Sequence, residues 1–291
     1  MAVDFWWDQL SLLLHMDGAD GGTTFTDVKG HTVTVGGAVT TETTLPKFGT
    51  ACGDFPGADA DKLTLSTGNF PPANANFGSG NFTIEGWFKE NNVTRQYMTM
   101  LEKDNGAYGV GSWSLLINRA ASSDGLVAFY SRDFHATNHL LTSTVAYDDN
   151  AWHHVAVVRN WNQWLLWIDG ALAGSETSTV TITDLSAALL VGNSVYTARG
   201  WTGTLDEWRI TKGFARYTVP FTAPTTAFPG EADDGRVGPA GAAGVNIVGF
   251  DGPPGEDGTG VHPVTLPLPP ATYDVTDQAQ TRRLIEGAFR R

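Results

Sequence analysis

An all-β fold of two packed antiparallel sheets is what this sequence predicts, and three observations predict it. Short runs of alternating apolar and polar residues recur from residue 9 to about residue 229, bounded by Gly, Asn and Asp. Aromatic residues make up 11% of the chain and glycines number 34, which suits pleated, half-buried strands joined by tight turns. Helical periodicity is nearly absent over the same span. Some 220 residues of this kind are enough to bury one large core between two sheets.

Taken in order, residues 32–35, 62–65 and 81–88 alternate with period two, and strand-like runs follow at 112–117 and 126–130. The clearest local unit runs from Trp152 to Ser175. Residues 152–159 form one strand, Asn160, Trp161 and Asn162 a turn, and residues 163–168 the return. Asp169-Gly170 then supplies the positive φ angles of a two-residue hairpin loop, and a third antiparallel strand continues at Ala171. Residues 1–8 precede the first strand as an N-terminal arm.

Near Pro220 the composition shifts. Pro220, Pro224 and Pro229 end sheet pairing and mark an extended exit strap. In the segment 230–262, glycine recurs at every third position at Gly235, Gly238, Gly241 and Gly244, and again at Gly249, Gly252, Gly255 and Gly258. Only glycine fits the axis of a collagen triple helix, so this Gly-X-Y-like extended segment predicts a homotrimer. A flexible Gly/Pro linker is the alternative. In the last segment, 263–291, an extended strap leads to a short helix from about Asp277, capped by Thr276 or Asp277. Leu284, Ile285, Ala288 and Phe289 share one face of it, and it needs a partner to be stable.

The formal net charge is −13, from 31 Asp and Glu against 18 Lys and Arg. That speaks against nucleic acid as a partner, because phosphate binding needs clustered cations. No apolar run approaches the roughly 18 residues of a membrane span, so no membrane insertion is expected. Asp4 and Asp8 stand where a secretory signal needs a basic start and an apolar core. The expectation is a soluble chain without a standard export signal. Cys52 is the one cysteine, which rules out an internal disulfide and reads as a small buried hydrophobe.

Several stretches resemble the laminin G-like, concanavalin A-like family in the form common in tailed-phage and bacterial proteins. They are Leu12-Leu13-Leu14-His15-Met16-Asp17-Gly18 with Thr24-Phe25-Thr26-Asp27, Lys47-Phe48-Gly49, Asp61-Lys62-Leu63-Thr64-Leu65, and Phe82-Thr83-Ile84-Glu85-Gly86-Trp87-Phe88. Trp152-His153-His154-Val155-Ala156 and Ile168-Asp169-Gly170 match further. The most specific match is Gly203-Thr204-Leu205-Asp206-Glu207-Trp208-Arg209-Ile210-Thr211-Lys212-Gly213 with Ala215-Arg216-Tyr217. The resemblance covers nearly all of residues 9–229, in order. It implies a two-sheet antiparallel jelly-roll sandwich. It also implies a paired first and last strand, where structural Ca2+ is common, and Asp17 and Asp206 are the carboxylates placed to hold it. Aspartates that merely brace turns are the competing account of Asp17 and Asp20. A collagen-like stretch after such a domain resembles phage fibres and appendages.

The family includes binders, adhesion modules and glycosidases, so function must come from the site. A retaining glycosidase needs two carboxyl groups about 5 Å apart. The Glu-x-Asp-x-x-Glu strand that would supply them is missing, Glu85 and Glu90 fall on opposite faces of one strand, and the adjacent Asp206 and Glu207 should point apart. His153 and His154, as strand neighbours, face opposite ways and cannot chelate one ion. Sugar recognition needs exposed aromatic faces beside polar groups, and Trp113, Tyr130, Tyr196 and Trp201 are the candidates because they border turns. Trp87, Trp152 and Trp167 read as core. The resulting expectation is a non-enzymatic virion surface protein (fibre, appendage or capsid decoration) that displays a lectin-like domain to host-surface glycans beside other virion proteins. A decoration protein without a ligand, a bacterial lectin and a glycan-degrading enzyme with carboxylates drawn from separate strands are the alternatives.

Overall fold

The computed structural model describes residues 4–230, except 68–73, 92–94, 108, 120–123, 133–137 and 183–184. The collagen-like segment and the C-terminal strap and helix expected after residue 230 lie outside the described residues. Among the described residues no helix is long and apolar enough to cross a membrane.

Two antiparallel sheets carry the fold. The eight-stranded sheet runs β13 (Ala171–Thr177), β12 (Gln163–Ile168), β11 (His153–Asn160), β6 (Phe82–Glu90), β15 (Gly203–Lys212), β4 (Cys52–Phe55) and β3 (Thr40–Glu42), with β1 (Leu10–Leu14) also paired to β15. The seven-stranded sheet runs β10 (Asn138–Ala146), β9 (Leu126–Arg132), β8 (Trp113–Ile117), β7 (Met98–Lys103), β14 (Leu189–Val191), β5 (Lys62–Leu65) and β2 (Thr34–Gly36). The first and last strands do pair, Leu12 opposite Ile210 and Leu14 opposite Trp208. The expected strand at residues 32–35 begins two residues later, as β2.

Period-two alternation builds the core. Ile84 and Phe88 of β6, Leu205, Trp208 and Ile210 of β15, and Val155 and Val157 of β11 belong to one buried cluster with Leu115 and Ile117 of β8 and Val127 and Phe129 of β9. Gly86 lets β6 accept the Trp208 indole, since a Cβ there would overlap the ring. The three-strand unit takes the predicted form. Asn160 pairs with Gln163 around Trp161 at φ 59°, and Ile168 pairs with Ala171 around Asp169 at φ 50° and Gly170 at φ 80°.

The outer face of the eight-stranded sheet is also covered, which is why β6 and β15 are buried almost throughout. Ala215 and Tyr217, just before the exit strap, and Phe221 within it pack on Ala156, Val158, Leu165 and Trp167. A buried ionic network fastens both ends of the domain there. Arg209 Nη2 meets Glu85 Oε1 at 2.7 Å, and Asp4 Oδ2 meets Arg209 Nη1 at 3.1 Å and Arg216 Nη2 at 2.8 Å. Tyr217 Oη donates to Glu85 Oε2 at 2.8 Å. Asp4 thus ties its part of the N-terminal arm into the domain by ion pairs.

Candidate functional site

Cys52 is fully buried, and burial pushes its thiol up to about 12, so it is an inert core residue as the sequence suggested. His153 and His154 face opposite ways. His153 Nδ1 lies 2.7 Å from Asp169 Oδ2 and His153 Nε2 lies 2.9 Å from Asp149 Oδ1, whereas His154 lies beneath the strap, 3.3 Å from Glu85 Oε2.

Asp17 and Asp206 brace one turn from two sides. Asp17 Oδ1 accepts hydrogen bonds from Thr50 Oγ1 at 2.9 Å and from the Thr50 and Ala51 N–H groups. Asp206 Oδ2 accepts from Lys47 N at 2.9 Å and Phe48 N at 3.1 Å. Burial pushes the Asp206 carboxyl up to about 8, against these main-chain donors and with added repulsion from Glu207. Amide hydrogens point at the carboxylates, and among the described residues no group of three or more His, Cys, Asp or Glu stands together as metal ligands would.

Asp206 and Glu207 do not point apart as alternation required. Strand β15 bulges between Asp206 and Arg209, and Glu207 sits at φ 51°. Both carboxylates then serve segments packed outside the sheet: Asp206 holds the turn at Lys47, and Glu207 Oε2 accepts Phe228 N at 2.7 Å.

Of the four aromatic candidates, two are core. Trp113 is 1% exposed and Trp201 0%, so neither offers a face to a sugar. Their place beside turns is a property of chain position, whereas their side chains follow the inward alternation of the sheets. The two tyrosines meet the solvent. Tyr130 projects from β9 on the outer face of the seven-stranded sheet, into an open cleft of about 330 Å³. Tyr97, Asn138, Arg119, Arg132 and Arg199 line its walls, and Ser114 and Leu116 of β8 form its floor. Tyr196 stands beside it, with the Arg199 guanidinium carbon 4.6 Å from the ring centres of both Tyr97 and Tyr196.

The backbone holds this cleft in shape. Tyr97 at φ 57°, Asn118 at φ 61° and Ala198 at φ 61° all adopt the left-handed region, and the last two immediately precede Arg119 and Arg199. Of the three, Tyr97 is the bulky one, and a bulky residue in that region is a genuine outlier. Tyr97 N donates to Asn118 O, Asn118 Nδ2 to Arg95 O, and Thr99 N to Arg199 O, so three separated segments are tied together. Tyr130 Oη donates to Asn138 Oδ1 at 2.7 Å across adjacent strands. Behind the wall, Glu102 Oε1 accepts from Ser194 Oγ at 2.7 Å and Val195 N at 2.8 Å, and burial pushes its carboxyl up to about 7 despite these bonds and the Arg199 charge.

Sequence reasoning missed Tyr97 and the three arginines, which are scattered from residue 97 to residue 199. The signal was the placing of arginine beside turn-bordering tyrosine in an acidic chain.

A second cleft of about 380 Å³ opens at the other sheet, lined by Glu42 of β3, Asp54 of β4, Lys89, Asn91 and Thr204 among others. Hydrogen bonds from Thr44 hold the Glu42 carboxyl low, and burial and the Glu42 charge raise that of Asp54.

Residues 65–214 match the family described as the concanavalin A-like lectin/glucanases superfamily. No curated protein sequence matches the chain. Among solved structures, the binding domain of paraclostridial mosquitocidal protein 1 is similar at a TM-score of 0.56 and 14% identity, over 72% of this chain and 49% of that one. The receptor-binding domain of botulinum neurotoxin C/D mosaic serotype is similar at a TM-score of 0.52 and 18% identity, over 72% and 49%. This chain thus spans about half the length of those toxin domains. Domain 4 of AbnA, an extracellular GH43 arabinanase from Geobacillus stearothermophilus solved with arabinotriose, is similar at a TM-score of 0.51 and 15% identity, over 71% and 93%. At these identities the likeness is one of fold.

Proposed function

We propose, from the premise that this chain belongs to the concanavalin A-like lectin/glucanases superfamily, that its jelly roll is a non-enzymatic carbohydrate-recognition module whose ligand sits in the Tyr97–Tyr130 cleft. The observation that carries this reading is the meeting of aromatic rings and hydrogen-bonding side chains from separate segments in one open, backbone-braced cleft. The arabinotriose complex of AbnA domain 4 supports it as a fold-level analogy. The finer reading is a phage virion surface protein, assembled in the host cytoplasm, that displays this domain for adhesion to host-surface glycans. Its support is the glycine spacing after residue 230, which fits a trimer that would convert weak single-site affinity into avidity. A structural decoration protein without a ligand is the plainer alternative.

A glycan panel probed with the full chain tests the proposal. Binding that is weakened about tenfold in Tyr97→Ala and Tyr130→Ala is the expected result, and no binding even at high valency would favour the decoration protein. The enzyme alternative has one observation in its favour: Glu42 and Asp54, from neighbouring strands, share the second cleft. It predicts that any glycan bound is also cleaved, and that Glu42→Gln stops cleavage. The expectation here is intact glycan after prolonged incubation.

A further inference from the structure

The arginines of the domain fall into two groups. Arg209 and Arg216 pair with Glu85 and Asp4, Arg159 donates to Gly78 O at 2.9 Å and Trp161 O at 3.0 Å, and Arg95 donates to Gly57 O and Gly200 O. These four hold the fold. The other three arginines among the described residues, Arg119, Arg132 and Arg199, gather at the single cleft that contains Tyr97 and Tyr130, and Arg132 and Arg199 also make contacts within the protein. They do so in a chain with a formal net charge of −13. Among the described residues, no aspartate or glutamate lines that cleft.

The chemistry of the lining decides what it suits. A neutral sugar presents hydroxyls that both donate and accept, and arginine has five donors and no acceptor. Among the described residues, side-chain acceptors in this lining are the hydroxyls of Tyr97, Tyr130 and Ser114 and the Asn138 amide, and the Asn138 oxygen already takes the Tyr130 hydroxyl. The wall is therefore rich in donors and short of acceptors. Such a wall is matched by a ligand group made of acceptors alone, which is an oxyanion. Arg199 is set for this role. Its guanidinium lies over two tyrosine rings, which fixes its plane and lowers the ordering cost of binding.

We infer that the cleft's ligand is an anionic saccharide, with Arg119, Arg132 and Arg199 gripping an oxyanion on the sugar while Tyr97 and Tyr130 take its ring faces. This rests on the reading of the cleft as the carbohydrate site. Arginine forks fit carboxylate, sulfate and phosphate alike, and the carboxylate of a uronic or sialic acid is the expected partner because it matches one guanidinium edge bidentately.

The test uses the full chain against trigalacturonate, sialyllactose, a heparin tetrasaccharide and mannose 6-phosphate, with cellotriose, chitotriose and carboxyl-reduced trigalacturonate as neutral partners, by calorimetry. The expected result is binding of a carboxylated sugar and loss of it for the neutral partners. Affinity should fall at least tenfold in Arg132→Gln and Arg199→Gln, and also in Arg199→Lys, which keeps the charge but loses the planar fork. Raising salt from 50 to 500 mM should weaken it further. Selective binding of the sulfated or phosphorylated probe, with the same arginine dependence, keeps the anionic class and replaces the carboxylate. Equal or better binding of neutral sugars, lost in Tyr130→Ala, would overturn the anionic class and leave the carbohydrate site standing. Acidic-sugar binding indifferent to Arg119→Gln, Arg132→Gln and Arg199→Gln would overturn it too. Failure of every sugar would sink both readings. Thermal midpoints of each variant check folding, and Arg119→Gln replaces either of the others if one does not fold.

Discussion

Glu85 is a buried polar residue that holds separate segments together. Burial alone would raise its carboxyl, but Arg209, the His154 hydrogen bond and Arg216 outweigh it and hold the group far below its ordinary 4.5. A depressed folded pKa gives stability that is present above the unfolded value and lost as pH falls below it. Glu85→Gln should therefore remove part of the acid sensitivity of unfolding while costing about 3–5 kcal/mol at pH 7, because the buried Arg209 loses its closest carboxylate and keeps only Asp4. Asp206 works in the opposite sense. Its folded pKa is raised to about 8, so its contribution is fullest below the unfolded value of 3.8 and declines as pH rises toward 8. Denaturant melts from pH 5 to 9 should show Asp206→Asn flattening that decline. The aromatic candidates separate by burial. Trp113→Ala, in the core, should destabilise by about 3–5 kcal/mol. Tyr130→Ala should leave stability within about 1 kcal/mol and lower glycan affinity by about tenfold, or ~1.4 kcal/mol. Sequence treated the four aromatics alike because flanking turns mark where a strand ends and say nothing of which face a side chain takes.

At the scale of elements, strands with one clear register were legible. Residues 163–168 stand as read, and β6 and β11 differ from the sequence reading by a residue or two at their ends, because alternation and the Asp169-Gly170 turn specify them locally. Strands β7 and β14 carried no such signal. Every residue from Met98 to Lys103 is buried, polar ones included, so no alternation marks the strand. Lys103 is held inside by Asn76 Oδ1 and Leu185 O, a non-local arrangement. The Glu207 bulge in β15 was equally silent, and it is what brings Asp206 and Glu207 to one side. The hairpin turn itself carries a prediction. Gly170 has φ 80° and lies against the strap, where a Cβ would overlap the Phe221 carbonyl oxygen, and Phe221 N donates to Gly170 O at 3.1 Å. Gly170→Ala should cost about 1–3 kcal/mol from backbone strain alone and loosen the strap, seen as faster amide exchange at Phe221.

For the whole molecule, the sandwich and its family were legible because the strand pattern and the matching stretches span most of residues 9–229. The candidate site was half legible. Tyr130 and Tyr196 stand at or beside the cleft, whereas Tyr97, Arg119, Arg132 and Arg199 meet only through pairing of β7, β8 and β9 and the loop before β15. Their order in the chain gives no hint of that convergence. The acidic balance hid the cleft, since an average over 291 residues conceals three arginines gathered in one place. The trimer proposal belongs at this scale too. Light scattering should give a trimer for the full chain and a monomer for a chain ending at Pro229, and monomers in both would reduce the glycine triplets to a linker.

Whether the protein meets a sugar in the Tyr97–Tyr130 cleft is decided by a crystal structure of the full chain soaked with the tightest-binding saccharide of the panel. The sugar ring is expected against Tyr97 or Tyr130, with its oxyanion within hydrogen-bond reach of Arg132 or Arg199. A sugar seated instead between Glu42 and Asp54, with the arginine cleft empty, would contradict it.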